Sequence, residues 1–306
     1  MRNIKIVINW IRVEIKSLFS EKNSIASIWK LIYTTIGYVS LVFSFAVLLN
    51  DLMSCDKVEI MCKNHWGVLL LLGVIASVVH NREKTSYKGT IKDDDLQIEL
   101  KINDLFSVNA SSYVIPTNTF FRTVMEREYI SPRSVQGAFQ LKYFREDIAA
   151  LDYKIAESLA EQKIDGENAE DIHGMVKRYP IGTVAKVDYK NKHFYLVAIN
   201  DVNQYGKPEN QEYANVDVAL KGLMDFIYKF GHYDNLAMPL IGTGKAAIRT
   251  ATMERVFEDT LDEFVDSENK ISRKLIICIN PQDYLEERFD LKKLKRYVDY
   301  KCEFKK

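Results

Sequence analysis

The fold of the larger part of this 306-residue chain is decided by the stretch Met238-Pro239-Leu240-Ile241-Gly242-Thr243-Gly244-Lys245. It begins as an apolar strand, runs into a glycine loop and is followed from about residue 251 by a helical pattern. Glycine allows the backbone amides of such a loop to approach phosphate oxygens closely, with the Thr243 hydroxyl as a further donor. The stretch is not a P-loop, because Pro239 replaces its first glycine and Ala246 replaces its serine or threonine. A phosphate-binding loop and a turn that only redirects the chain remain as alternatives.

The residues around this loop, 94–290, alternate between strand and helix patterns, which predicts an α/β domain. Their length fits one domain. An acidic, glycine-containing stretch over 163–179 predicts an exposed insertion, in which His173 is interpreted as a solvated loop residue. The candidate strands are 96–102, 113–117, 183–189, 193–199, 236–240 and 274–279, and the candidate helices are 134–145, 153–162, 216–230 and 251–265.

Two further fragments stand where predicted strands end. Ile102-Asn103-Asp104-Leu105 follows the first strand, and its carboxylate can accept a hydrogen bond from an exocyclic amine. Val114-Ile115-Pro116-Thr117-Asn118 ends in an asparagine, whose amide can both donate to and accept from a ribose hydroxyl. In this order, and with residues 236–244 later, the fragments resemble the macro domain, the ADP-ribose-binding fold, over roughly residues 96–285.

The resemblance implies a mixed sheet sandwiched by helices, with a ligand at the strand ends. By the resemblance, Asp104 reads adenine, Asn118 contacts the distal ribose, and the loop residues Gly242, Thr243 and Gly244 cradle the diphosphate. The expected ligand-binding residues are therefore Asp104, Leu105, Asn118, Ile241, Gly242, Thr243, Gly244 and Lys245.

The chain departs from the macro hydrolases in the segment after the asparagine. Those enzymes have a triple-glycine loop there, whereas this chain has Phe120-Phe121-Arg122 and then Ser131-Pro132-Arg133-Ser134-Val135-Gln136-Gly137. Ser134 and Gly137 open a predicted helix and are expected to offer a hydroxyl and amides to phosphate or ribose. We therefore expect binding without catalysis: no catalytic residue is assigned, and neither a metal nor a cofactor is expected beside the ligand.

Residues 31–80 predict a two-helix transmembrane hairpin. The uncharged run 31–50 would form a helix about 30 Å long, which matches the hydrocarbon core of a bilayer. The apolar run 66–79 is shorter, roughly 21 Å, and needs its flanks or local thinning to span. Two buried core helices are the alternative, although Leu69-Leu70-Leu71-Leu72 leaves no polar face for water.

Basic residues set the expected orientation. Lys and Arg are frequent before the first span and after the second, and the loop between them has only Lys57 and Lys63. Short loops rich in these residues stay in the cytoplasm, so both termini and the α/β domain are predicted to face the cytoplasm. Cys55 and Cys62 fall in the external loop, where a disulfide and two free thiols are both open.

The remaining segments complete the predicted organisation. Residues 1–30 contain an amphipathic cytoplasmic helix, with Ile4, Ile8, Ile11 and Ile15 on one face. Residues 81–93 are interpreted as a linker, and 291–306 as a basic C-terminal helix. The chain has 42 basic and 42 acidic residues, so its net charge does not favour a nucleic-acid partner.

A membrane hairpin joined to a divergent macro domain resembles the membrane effector of type II Thoeris antiphage systems. The resemblance implies a TIR-domain partner that makes an ADP-ribose derivative from NAD, a histidine adduct in that family. Binding of this signal would assemble the chain into a homo-oligomer that disrupts the membrane. The alternatives are a membrane-tethered ADP-ribosyl hydrolase and a passive anchor that binds no nucleotide.

Overall fold

The structure, a computed structural model, describes residues 2–18, 24–53, 60, 62, 64–92, 94–125, 129–205, 207–209, 212–244 and 251–304. It contains two compact units that divide between Thr85 and Ser86. Cys55 and Lys245 lie outside the described residues, and Cys62 is a free, buried cysteine.

The first unit contains three described helices: α1 (Arg2–Leu18), α2 (Ser24–Met53) and α3 (Trp66–Asn81). Helices α2 and α3 pack antiparallel through small and polar residues. The Ser77 hydroxyl donates to the Leu31 carbonyl at 2.9 Å, and the Asn81 amide donates to Thr34 Oγ1 at 2.7 Å. At Gly73 an added Cβ would lie 2.7 Å from a Val39 methyl group, so the close approach of the two helices requires glycine there.

Of the described helices, α2 alone is long and apolar enough to cross a membrane, over Ala26–Leu49. Helix α3 is apolar but has 16 residues, about 24 Å of helix against a hydrocarbon core of about 30 Å. The prediction of two membrane spans is therefore corrected to one span candidate with a shorter apolar helix packed against it.

Helix α1 lies where the amphipathic helix was predicted. Its Val7, Trp10 and Ile15 side chains are more than half exposed, and Val13 is buried. The end of α3 is fastened to α1, because Arg82 pairs with Glu14 at 3.1 Å and the Glu83 amide donates to the Ser17 carbonyl. The helix thus presents an unpartnered apolar face while its other side is anchored.

The second unit is built on one large sheet, in the order β1-β2-β10-β9-β3-β7-β6 with β8 paired to β7. Strands β2, β10, β9, β3 and β7 run parallel, whereas β1 and β6 are antiparallel edge strands. A separate hairpin is formed by β4 and β5. The strands are β1 (Ser86–Thr90), β2 (Gln97–Ile102), β3 (Ser112–Asn118), β4 (Glu167–Asp171), β5 (Gly174–Arg178), β6 (Val184–Tyr189), β7 (Lys192–Val202), β8 (Pro208–Glu209), β9 (Asn235–Pro239) and β10 (Lys274–Ile279).

Helices cover both faces of this sheet. Phe194 and Tyr195 are adjacent in β7 and point to opposite faces, and both are fully buried. Phe194 packs on Phe139 at 4.6 Å between ring centroids, and Tyr195 packs on Phe226 at 6.1 Å. The predicted sandwich is confirmed, with helices α4 (Val135–Tyr143), α5 (Ile148–Glu161), α6 (Ala214–Phe230), α7 (Met253–Asp266), α8 (Pro281–Leu285) and α9 (Leu291–Glu303).

Two segments differ from the sequence-based interpretation. Residues 81–93, interpreted as a linker, contain β1, which pairs in register with the whole of β2 and is held by α9. The insertion at 163–179 contains the β4–β5 hairpin, and His173 at its turn is half-buried against the Tyr129 ring rather than solvated. Both segments are polar, so their strand character comes from pairing and not from an apolar pattern.

Candidate ligand-binding site

The five parallel strands end at one edge of the sheet, and this carboxyl edge is where open α/β sheets bind ligands. Strands β3 and β9 pair only through Ser112 and Tyr113 with Leu236 and Ala237, at their beginnings. Beyond these residues the ladder between the two strands stops. The sheet therefore opens toward its carboxyl edge, between the end of β3 and the glycine loop after β9.

Asp104 stands at this edge, in the turn after β2. Its Oδ1 accepts the Phe106 amide at 2.9 Å, which caps a short 3₁₀ turn at Leu105–Ser107. Leu105 is buried and its side chain belongs to the core. Only the Asp104 carboxylate is thus placed to meet a ligand, and its Oδ1 is already engaged by the backbone.

The glycine loop after β9 has the backbone form that the sequence predicted. Gly242 has φ +80°, a conformation that favours glycine. Gly244 is exposed, and apart from its chain neighbours no atom of the described residues lies within 4 Å of where a Cβ would be. Ile241 and Thr243 are buried, and the Thr243 hydroxyl donates to the Leu240 carbonyl at 2.8 Å. That hydroxyl stabilises the turn and is not the extra phosphate donor that was expected.

Arg288 is a residue of the site that the sequence did not point to. It follows α8, and its Nη2 donates to the Thr243 carbonyl at 3.1 Å. Its Nη1 pairs with Asp283 at 2.5 Å. Burial raises the pKa of the Asp283 carboxyl, although Arg288 acts against this rise. Arg288 therefore fixes the loop from outside and places a positive charge beside the expected phosphate position.

Asn118 closes β3, and the chain turns sharply after it. Asn118 Oδ1 accepts the Phe120 amide at 3.0 Å, and the Asn118 carbonyl accepts the Phe121 amide. Phe121 has φ +51°, a conformation that is uncommon for a residue with a bulky side chain. Both phenylalanines are 4% exposed. Aromatic packing thus shields the backbone where a macro hydrolase has glycines.

The β4–β5 hairpin is fastened to this segment by a buried ion pair. Arg122 donates two hydrogen bonds of 3.0 Å to the Asp171 carboxylate, whose side chain is 0% exposed. The Tyr129 hydroxyl and the His173 amide also donate to it. Burial acts to raise the pKa of Asp171, but these hydrogen bonds outweigh burial and hold that pKa below its ordinary value.

The turn at Ser134 and Gly137 does not have the expected free donors. Ser134 caps α4: its Oγ accepts the Gly137 amide at 3.0 Å and donates to the Ser131 carbonyl at 2.8 Å. A Cβ on Gly137 would lie 2.2 Å from that carbonyl, so the close backbone approach requires glycine there. The hydroxyl and the Gly137 amide are consumed within the turn, which corrects their assignment as ligand donors.

The structure thus brings Asp104, Asn118 and the glycine loop at 241–244 to one edge. The glycine loop, the Asp104 carboxylate and the Asn118 side chain are placed along this edge, and Arg288 is hydrogen-bonded to the loop. Such a set suits a nucleotide diphosphate, because amides and a cation serve the phosphates and side-chain oxygens serve the base or ribose.

Comparison with known protein families identifies this domain. The family model described as "Thoeris protein ThsA, Macro domain" matches residues 98–280, which is more than half of the chain. The chain belongs to this family. Residues 86–306 are accordingly a macro domain, and family membership supports binding of an ADP-ribose-derived ligand.

Solved structures similar to the chain are also macrodomains. A mutant macrodomain of Oceanobacillus iheyensis has 13% identity and a TM-score of 0.48, over 71% of this chain and 94% of that one. The same macrodomain with ADP has 12% identity and a TM-score of 0.46, over 71% and 95%. The macrodomain of Thermus aquaticus DarG has 14% identity and a TM-score of 0.39, over 60% and 98%. A search of curated proteins gave no significant match.

Proposed function

We propose that this protein is a membrane-anchored sensor and effector of antiphage defence that binds an ADP-ribose-derived signal at the carboxyl edge of its macro domain. The observation that supports it best is the joining of this edge, with its open glycine loop, to a helix long enough to span a bilayer. The signal in this proposal is made by a TIR-domain partner, and a histidine-linked ADP-ribose is the expected form.

The proposed output is disruption of the bacterial inner membrane by an assembly of several chains. Ligand binding can drive assembly only if the ligand binds the assembled state more tightly than the single chain. The apolar surface of α1, α2 and α3 supplies the lipid-facing part, because these helices expose large apolar side chains such as Trp10, Leu41 and Leu71. Both termini and the macro domain face the cytoplasm in this proposal.

We propose binding rather than hydrolysis as the activity. A hydrolase of the macro fold places its water with a flexible glycine loop after the asparagine. Here Phe120 and Phe121 are buried at that place and Arg122 is locked to Asp171. The amides of Phe120 and Phe121 are engaged by Asn118, so these two residues do not offer backbone donors to orient a water. A membrane-tethered ADP-ribosyl hydrolase is the competing function.

Calorimetry of the full chain in lipid nanodiscs, titrated with ADP-ribose and with histidine-linked ADP-ribose, tests the proposal. We expect saturable binding of both, tighter for the conjugate, and recovery of the bound nucleotide intact by mass spectrometry. Release of free ADP-ribose from the conjugate would favour the hydrolase. Absence of binding by either nucleotide would contradict the sensor.

The membrane part is tested separately by dye uptake in cells supplied with the signal. Val42 lies within α2 and is exposed, so Val42→Asp places a carboxylate at the middle of the span. Such a charge costs about 2.5 to 3.5 kcal/mol on insertion scales. We expect this variant to bind nucleotide normally and to cause no dye uptake, whereas Val42→Leu behaves as wild type. Uptake that persists in Val42→Asp would show that the damage does not depend on the span.

A further inference from the structure

Three potential metal ligands meet at the amino edge of the macro domain, opposite the ligand-binding edge. Asp188 is near the end of β6, His193 is near the beginning of β7, and His232 lies between α6 and β9. One ligand atom from each of the three lies within 4.8 Å of the others. The chain has five histidines, and two of them come together here from positions 39 residues apart.

The backbones that carry these side chains are held in place. Asp188 and His193 are directly opposite in the β6–β7 ladder, and Asp188 Oδ1 lies 2.8 Å from His193 Nδ1. The His193 amide donates to the Ser111 carbonyl, and the His232 amide donates to the hydroxyl of fully buried Tyr195. The cluster is therefore set by the sheet and the core, even though its side chains reach solvent.

From this arrangement we propose that Asp188, His193 and His232 bind a divalent transition-metal ion, with Zn²⁺ as the expected physiological occupant. Two imidazoles and one carboxylate, with water as a fourth ligand, form a common zinc site. Zn–N and Zn–O bonds of about 2.0–2.1 Å place tetrahedral ligand atoms roughly 3.3 Å apart. Since the ligand atoms lie within 4.8 Å of one another, their separations need to shrink by at most about 1.5 Å to reach this geometry.

The rings must rearrange in one respect for this site to form. The imidazoles of His193 and His232 are stacked, with centroids 3.7 Å apart and planes at 23°. The nitrogen lone pairs lie in the ring planes, so two stacked rings cannot both point at one ion. His232 is exposed and can turn about its side-chain torsions, whereas the ring of His193 is oriented by Asp188. Metal binding therefore requires the two imidazole rings to leave the stacked arrangement and to lie at an angle to each other.

Lys186 competes with the metal for the carboxylate. Its Nζ lies 3.6 Å from Asp188 Oδ2. An ammonium at this distance offsets part of the negative charge that would attract a cation. Lys186 therefore weakens metal binding, and its replacement by an uncharged residue should raise the metal affinity. A cluster that only stabilises the fold would not show this increase.

The test is metal titration of the full chain in detergent micelles after removal of metals with a chelator. We expect one Co²⁺ per chain with the visible absorption of a tetrahedral site, displaced by Zn²⁺, and a higher unfolding temperature with Zn²⁺. His193→Ala and His232→Ala should each lose at least the roughly 10- to 100-fold in affinity that loss of an outer hydrogen-bond partner costs a metal site. Lys186→Met should bind more tightly than wild type.

His173→Ala is the matched control, because it removes a histidine of the same domain that is not a member of the cluster. It should bind Co²⁺ and Zn²⁺ as wild type does. Equal Co²⁺ affinity in wild type and in the His193→Ala, His232→Ala double variant would overturn the proposal. So would octahedral, weak Co²⁺ binding that Lys186→Met leaves unchanged, since that behaviour describes adventitious surface carboxylates.

Discussion

The chain ends two adjacent parallel strands, β9 and β3, in opposite ways. After β9 the backbone is open: Gly242 takes a positive φ, and Gly244 faces empty space. After β3 the backbone is closed by Phe120 and Phe121 and by the ion pair of Arg122 with Asp171. The backbone after the first strand is open, whereas the amides of Phe120 and Phe121 after the second strand are engaged by Asn118. This difference underlies the proposal of binding rather than hydrolysis.

The largest effect is expected from loss of the ion pair that closes the segment after β3. Asp171→Asn removes one partner of a buried pair and leaves the Arg122 charge uncompensated, which costs about 3 to 5 kcal/mol of unfolding free energy. Denaturant unfolding of the full chain in micelles measures this loss. Asp217→Asn is the control, because it breaks an exposed pair with Lys221 that solvent screens and that contributes little to stability. Equal losses of unfolding free energy in the two variants would mean that the ion pair between Arg122 and Asp171 does not stabilise the domain.

The second effect concerns the open side. Gly242→Val forces a β-branched residue to a positive φ, at roughly 1 to 3 kcal/mol of strain, and blocks the approach of phosphate to the amides. We expect a loss of ADP-ribose affinity of at least about 100-fold, near the 2.7 kcal/mol that such a ratio represents. Gly244→Ala is the matched variant, since its Cβ meets no atom and no positive φ is imposed. Calorimetry that finds equal affinities for the two variants would remove the loop from the site.

A smaller effect is expected at Asp104, which borders the open side. Asp104→Ala leaves a ligand donor and the Phe106 amide without their acceptor, and an unpaired buried group costs roughly 1 to 3 kcal/mol. Asp104→Asn retains an oxygen for the Phe106 amide and should lose less. The affinity for ADP-ribose, compared with that for ribose 5-phosphate, measures the effect. If Asp104→Ala weakens both ligands equally, then Asp104 does not read adenine.

The smallest effect is expected for the pH dependence of the stability that Asp171 provides to the segment after β3. The pKa of Asp171 is lowered on folding, so its stabilising contribution is present above the unfolded value of about 3.8 and is lost as the pH falls through the lower folded value. The difference in unfolding free energy between wild type and Asp171→Asn should therefore be constant from pH 7 to 5 and shrink only below pH 3.8. A difference that already shrinks near pH 5 would contradict the lowered pKa.

The same contrast explains what the sequence reveals of the fold. Strand β10 was predicted to the residue, because a continuous apolar run lies between Lys274 and Asn280. Strands β1 and β4 were missed, since they are polar segments whose strand form depends on pairing with the next strand along the chain. An apolar pattern reports burial on the sheet faces, and it does not report pairing at an edge.

The site was predictable to the same extent. Asp104, Asn118 and Gly242 follow apolar strands, and the parallel topology brings such positions together. Ser134 and Gly137 gave an equally good local signal, but a hydroxyl before a helix serves as its cap as readily as it binds phosphate. Arg288 gave none, because its contact with Thr243 joins segments 45 residues apart.

The parallel pairing of β2 with β10 also sets an order of events during synthesis. Residues 97–102 cannot pair in this way until residues 274–279 have been synthesised. The middle of the sheet therefore forms only after nearly the whole macro domain has been made. Helix α2 is complete at residue 53, about 226 residues earlier. At roughly 5 to 20 residues per second this is a lead of roughly 10 to 45 seconds. The apolar helix is thus complete before the strand ends at the carboxyl edge have met, and under the proposed function the membrane anchor is made before the binding site.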